Sequence, residues 1–146
     1  KVIGIDINVR TYNRQAIEMH PMYSRIEIIM GSSIDSLIIN QVKAYAKDYE
    51  RILVCLDSNH VHDHVLAELE AYAPLVSKGS YCVVFDTVIE DMPEKMFPNR
   101  PWGPGNNPKT AVREYLISHD EFEIDKSIHN KLLISVAHDG YLKRIK

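Results

Sequence analysis

The feature that most constrains this chain is a repeated order: an apolar run of strand length, a polar or acidic stop, then a segment with helical spacing. Val2 to Ile7 is β-branched and carries Asp6 near its end, and Arg10 to His20 sets polar residues around Ala16, Ile17 and Met19 as a surface helix would. Arg25 to Met30 predicts a second strand, closed by Gly31-Ser32-Ser33 and followed by helical spacing from Ile34 to Tyr49. Arg51 to Leu56 is almost wholly apolar, as a strand buried on both faces would be, and stops at Asp57-Ser58-Asn59. A helical stripe of Val61, Val65, Leu66, Leu69 and Tyr72 follows, then a strand from Ser80 to Phe85 that stops at Asp86. Thr110 to Ser118 reads as a helix, and Phe122 to Ile128 with Lys131 to His138 as two strands of a hairpin around His129-Asn130.

Strands alternating with helices imply an α/β fold: a mostly parallel, doubly wound sheet between two helical layers, with an antiparallel strand near one edge. Ligands of such sheets bind beyond the carboxyl ends of the strands. Four of the expected strands end there in Asp6, Gly31-Ser32-Ser33, Asp57 and Asp86. Between Met92 and Pro108 lie five of the seven prolines and two of the six glycines, so this stretch is expected to be a lid or substrate loop rather than a plain connector.

Size and charge narrow the function classes. With 146 residues, 45% hydrophobic and 25% charged, the chain is expected to form one domain, 1–146, with a real core. A net charge of −3, with basic residues clustered only in Lys143-Arg144-Ile145-Lys146, argues against a nucleic-acid partner. The longest stretch free of charged residues, Pro101 to Pro108, is too short and too rich in Pro and Gly to span a bilayer. Cys55 and Cys82 sit inside apolar runs, which reads as two core thiols in a reducing cytoplasm.

The candidate site residues each allow two readings. Asp6 is placed either to accept hydrogen bonds from a nucleotide ribose or to cap the next helix. Gly31 with Ser32 and Ser33 would let the chain pass close to a flat ring, or would simply cap a helix. Asp57 and Asp86 end strands joined by one crossover helix, so their carboxylates could converge on a hard cation such as Mg²⁺. His60 follows the Asp57 turn and is a candidate proton acceptor. His60, His62, Asp63 and His64 invite comparison with a His-x-His-x-Asp-His zinc motif, but the run is one residue short. On a helix His62 and His64 would diverge by roughly 200° and could not share a cation. His119, His129 and His138 read as structural, and Trp102 as a residue that packs over a ligand or anchors its loop.

Gly4-Ile5-Asp6-Ile7 with Arg10 and Asn13-Arg14, the block Leu56-Asp57-Ser58-Asn59-His60-Val61-His62-Asp63-His64-Val65-Leu66, Val83-Val84-Phe85-Asp86-Thr87 and Gly103-Pro104-Gly105 together resemble the cephalosporin hydroxylase family, whose relatives include rhamnosyl O-methyltransferases. The resemblance covers nearly the whole chain and implies the Rossmann-like fold of S-adenosylmethionine-dependent methyltransferases. It implies that Asp6 binds the ribose of S-adenosylmethionine, that Ser32 and Ser33 lie near its adenine, and that Asp57 serves both cofactor and metal. By similarity to the more distant catechol O-methyltransferases, Asp57 and Asp86 would hold the metal, with His60 where those enzymes have a catalytic Lys. The family usually has Glu where this chain has Phe85. The first strand and Gly-rich loop of such a fold are not in this sequence, so the domain is expected to be incomplete at its N-terminus.

The expected function is therefore S-adenosylmethionine-dependent O-methyl transfer to a hydroxyl of a small molecule or sugar, assisted by a divalent metal. Phe85 keeps open a methyltransferase-like binding module without catalysis, and the family name a metal-dependent hydroxylase. A homo-oligomer is compatible with the resemblance.

Overall fold

A computed structural model describes residues 1–146. The chain divides into two compact units, residues 1–45 and residues 46–146, each described here by itself.

In the first unit β1 (Val2–Asp6) and β2 (Ile26–Met30) form a two-stranded parallel sheet in which Asp6 lies opposite Met30. The helix α1 (Thr11–Glu18) connects them and buries none of its residues. Gly31 donates its amide to the carbonyl of Asp6 at φ 154°, a backbone conformation that favours glycine, and a Cβ there would also displace the Ile38 side chain. Asp35, not the Gly-Ser-Ser segment, caps the helix α2 (Ser36–Ala46): its Oδ1 accepts from the amide of Leu37 at 2.7 Å.

The second unit holds most of the core. Its sheet runs in the order β3 (Val54–Leu56), β4 (Tyr81–Val84), β6 (Tyr141–Arg144), β5 (Phe122–Ile124). The β3 and β4 strands are parallel, whereas β6 runs antiparallel to both β4 and β5. Two helices, α3 (His62–Tyr72) and α4 (Pro108–Ser118), pack on each other and on the sheet. Val65, Leu69, Val84, Val112, Tyr115 and Leu142 are buried almost completely, and each aliphatic side chain among them contributes roughly 1.5–3 kcal/mol of transfer free energy. Asn107 starts α4 with a capping box: its side chain accepts from the amides of Lys109 and Thr110, and the Thr110 hydroxyl accepts from the Asn107 amide. Pro108 then takes the first helical position, where a missing N–H costs nothing.

Three expectations change. The C-terminal antiparallel pair exists, but its second strand is Tyr141–Arg144, and the helix α5 (Lys126–Leu132) occupies the place of the proposed turn. Asp125 is the reason, since its side chain accepts from the Ser127 amide and starts a helix where the apolar alternation suggested a strand. The run Arg51 to Leu56 is not buried on both faces: Leu53 and Cys55 share one face and are exposed, while Leu56 is buried. Cys55 is therefore a surface thiol, and Cys82 alone is a core thiol.

Candidate metal and methyl-transfer site

Because β3 and β4 are hydrogen-bonded parallel neighbours, with Leu56 opposite Val84 and the Phe85 amide donating to the Leu56 carbonyl, their carboxyl ends lie side by side. Asp57 leaves one and Asp86 the other. Asp86 adopts φ 55° and ψ 20°, a left-handed conformation uncommon for a residue with a side chain, and heads the 3₁₀ turn Thr87–Asp91. Gly140 makes this exit possible, since a Cβ there would meet the carbonyl oxygen of Val84 at 2.1 Å.

His60 lies in the turn before α3 and reaches across to Asp86, with Nε2 at 3.2 Å from Oδ2. One ligand atom from each of Asp57, His60 and Asp86 falls within 4.8 Å of the others. A hard cation that coordinates at about 2.0–2.6 Å joins donors no more than about twice that distance apart, so the three residues fit such an ion. The electrostatics agree: burial and then the charge of Asp86 push the Asp57 carboxyl above its ordinary range, partly offset by His60. A bound cation would relieve that repulsion. With one imidazole and two carboxylates, the cluster inverts the two-His, one-carboxylate composition of oxygen-activating iron sites.

The His-rich block separates into three roles. While His60 faces the cluster, His62 turns to α4: its amide donates to Asn106 Oδ1 at 3.0 Å, and its ring lies 2.8 Å from the Thr110 hydroxyl and 3.2 Å from Glu114. His64 lies 3.3 Å from the Ser58 hydroxyl. The three rings thus go to three different neighbours. Trp102 places its ring edge-to-face with His60 at 4.9 Å and carries the Arg100 guanidinium over it at 5.1 Å.

The Pro- and Gly-rich stretch that delivers Trp102 is tied down by Glu90, which accepts from the Gly105 amide at 2.7 Å and from the Asn107 side chain at 2.5 Å and pairs with Arg113 at 3.1 Å. Burial alone would raise the Glu90 carboxyl, but these donors hold it below its ordinary range. Lys109 is buried and bonded to Asp91 at 2.7 Å, with Asp139 and His138 beside it, so this network fixes the far end of the turn that begins at Asp86. The sequence carries a signal for it: a Lys in the first turn of a helix is opposed by the helix dipole and needs an acidic partner elsewhere.

In the first unit Asp6 and Gly31-Ser32-Ser33 share the carboxyl edge of the two-stranded sheet. Asp6 Oδ1 accepts from the Asn8 amide at 2.8 Å, which shapes the turn out of β1 without capping α1. Ser33 is buried.

Comparison with solved structures bears on the fold. Over 97% of this chain and 36% of the other, the fold is similar to the MycE methyltransferase of the mycinamycin biosynthetic pathway in complex with Mg and SAH, with a TM-score of 0.53 at 18% identity. A second MycE structure, with Mg, SAH and mycinamycin VI, matches 79% of this chain and 28% of its own with a TM-score of 0.50 and 21% identity. The fold is that of a methyltransferase.

The chain belongs to the rhamnosyl O-methyltransferase/CmcI family, whose model matches residues 1–145. It is 33% identical over 150 residues to the rhamnosyl O-methyltransferase of Mycobacterium tuberculosis (strain ATCC 25618 / H37Rv), covering 97% of this chain. The Mycobacterium leprae (strain TN) rhamnosyl O-methyltransferase is 27% identical over 145 residues and 99% of this chain. The chain spans 58% and 59% of the length of these relatives.

Proposed function

We propose that this chain carries the metal-binding and acceptor-activating part of an S-adenosylmethionine-dependent O-methyltransferase acting on a sugar hydroxyl, of which a rhamnosyl hydroxyl is the leading candidate. The observation that carries this reading is the convergence of Asp57, His60 and Asp86 at the carboxyl ends of β3 and β4. Family membership supports the reaction class and, through the rhamnosyl O-methyltransferase relatives, the choice of acceptor. The MycE complexes with Mg and SAH support the choice of cofactors.

Asp57 and Asp86 would hold the divalent ion, Mg²⁺ by this reading. When bound, such an ion stabilises the alkoxide that develops on the acceptor oxygen. S-adenosylmethionine supplies a methyl already activated on a sulfonium. The protein's own work is alignment and proton removal. His60 gives its Nε2 to Asp86, which leaves Nδ1 to accept the hydroxyl proton as the acceptor oxygen bonds to the methyl carbon and the sulfur–carbon bond breaks. Trp102 limits the motion of the His60 ring and shields it from water on one side. Asp6 is proposed for the ribose of S-adenosylmethionine, Ser32 and Ser33 for the surroundings of its adenine, and Asp57 as a further cofactor contact. The loop 92–108 is proposed to select the acceptor. We place the reaction in the cytoplasm, in keeping with two free thiols; no helix is long and apolar enough to cross a membrane. A homo-oligomer is the proposed assembly.

Phe85 favours a second reading, a cofactor-binding module without turnover. The three donors that converge here do so without position 85, which supports the catalytic reading. Titration calorimetry with S-adenosylmethionine tests the cofactor assignment. Binding that weakens by roughly tenfold in Asp6→Ala, the loss of about one or two hydrogen bonds, is the expected result. Unchanged affinity in that variant removes Asp6 from the cofactor site.

A further inference from the structure

Glu68 is 2% exposed on α3, and its carboxylate is assigned no part in the chemistry above. Its Oε1 accepts from the Ser58 hydroxyl at 2.6 Å, and its Oε2 has no hydrogen-bond partner. The His64 ring lies beside it, with Nε2 at 3.7 Å from Oε1 in the i, i+4 relation along α3. A buried acid with one oxygen unbonded is retained against its desolvation cost, so its one short hydrogen bond calls for a purpose.

The direction of the bonds can be worked out. Ser58 has a single hydroxyl proton, and a carboxylate only accepts, so that proton goes to Glu68. The 3.3 Å contact between Ser58 Oγ and His64 Nε2 then runs from the ring N–H to the serine oxygen. The result is a relay from His64 through Ser58 to Glu68. Ser58 sits in the chain between Asp57 and His60, whose side chains go to the cluster, while its own goes back to α3. The next residue, Asn59, accepts from the Val61 amide at 2.9 Å, so the turn is pinned at two successive side chains.

We infer that Glu68 is a positioning residue, which through Ser58 holds the turn carrying Asp57 and His60 in register with Asp86. The inference rests on the proposed reading of that cluster as a divalent-metal site. Groups that orient metal ligands typically change affinity by roughly 10–100-fold when removed. Glu68 is placed to do so from the helix beneath the turn.

The test uses Mn²⁺ as the probe, with affinity read by electron paramagnetic resonance, and amide hydrogen exchange of Val61, whose amide is bonded to the Asn59 side chain, without metal. Ser58→Ala and Glu68→Met, which remove donor and acceptor, should each weaken Mn²⁺ binding by roughly tenfold and speed exchange in the turn. The double variant should be no worse than either single one, because both remove the same bond. Glu68→Gln still presents an acceptor to Ser58 and should restore near-native affinity. Should Glu68→Met fail to fold, Ser58→Ala at its exposed position carries the test alone. Affinity within twofold of the parent together with unchanged exchange in Ser58→Ala overturns the inference. If the parent protein binds no Mn²⁺, the metal reading fails by itself, and the exchange measurement still decides whether Glu68 holds the turn.

Discussion

Asp86 meets two demands at once, a carboxylate at the cluster and a backbone at φ 55°. Asp and Asn enter the left-handed region more readily than other residues with a side chain, whereas an ordinary L-residue pays about 1–2 kcal/mol there. Asp86→Asn should therefore keep its melting temperature near the parent value while Mn²⁺ affinity drops by roughly 100-fold or more, at or beyond the upper end of what losing a ligand's supporting partner costs. Unchanged affinity would take Asp86 out of the metal site. At this scale the meeting of Asp57 and Asp86 was legible from their places as the stops of two apolar strands, with His60 in the turn that follows the first, because strand ends in α/β sheets point toward one edge. Glu68 was legible only in hindsight of its spacing. It falls between Val65, Leu69 and Tyr72 on the apolar stripe of α3, and a charge in such a stripe signals a buried partner. Ser58 offered no such signal, since a serine before a helix ordinarily caps it.

The parts of the chain that alternate regularly were read with little error at the level of elements. Both β1 and β2, and the helices α1 to α4, fall within a few residues of the expected spans. The C-terminal stretch was not, and the physical reason is that short apolar runs satisfy a strand and a helix turn alike. Leu132, Leu133 and Ile134 look like strand residues, yet Leu132 ends α5, the other two follow it, and all three are exposed, with Leu133 at φ 62°. What decided the element was Asp125. Hydrogen bonds from Ser127, and then from the Tyr81 phenol at 2.7 Å, hold its carboxyl down to about 2, against an ordinary 3.8. As the folded value lies below the unfolded one, the ionised carboxylate stabilises the fold above about pH 4, and this contribution is lost as the pH falls through about 2. The melting temperature of the parent should decline between pH 4 and pH 2 more steeply than that of Asp125→Asn, which does not titrate there. Equal slopes in thermal scans across that range would contradict the assignment.

For the whole molecule, the order of strands and helices carried the fold class, but it could not show how the strands divide into sheets. Two strands pair in residues 1–45 and four in residues 46–146. Pairing across a sheet is a long-range choice that local periodicity does not encode. The proposed chemistry of the second unit rests on two carboxylates and an imidazole at the ends of neighbouring parallel strands, and family membership supports O-methyl transfer as the proposed reaction. The most direct test is transfer of a tritiated methyl from S-adenosylmethionine to a rhamnosyl acceptor by the whole protein, before chelation, after exhaustive chelation, and after Mg²⁺ is returned. Transfer that disappears on chelation and returns with Mg²⁺ in the parent, but not in Asp57→Asn, is the predicted result. Transfer that survives exhaustive chelation, or that Asp57→Asn retains in full, would contradict it.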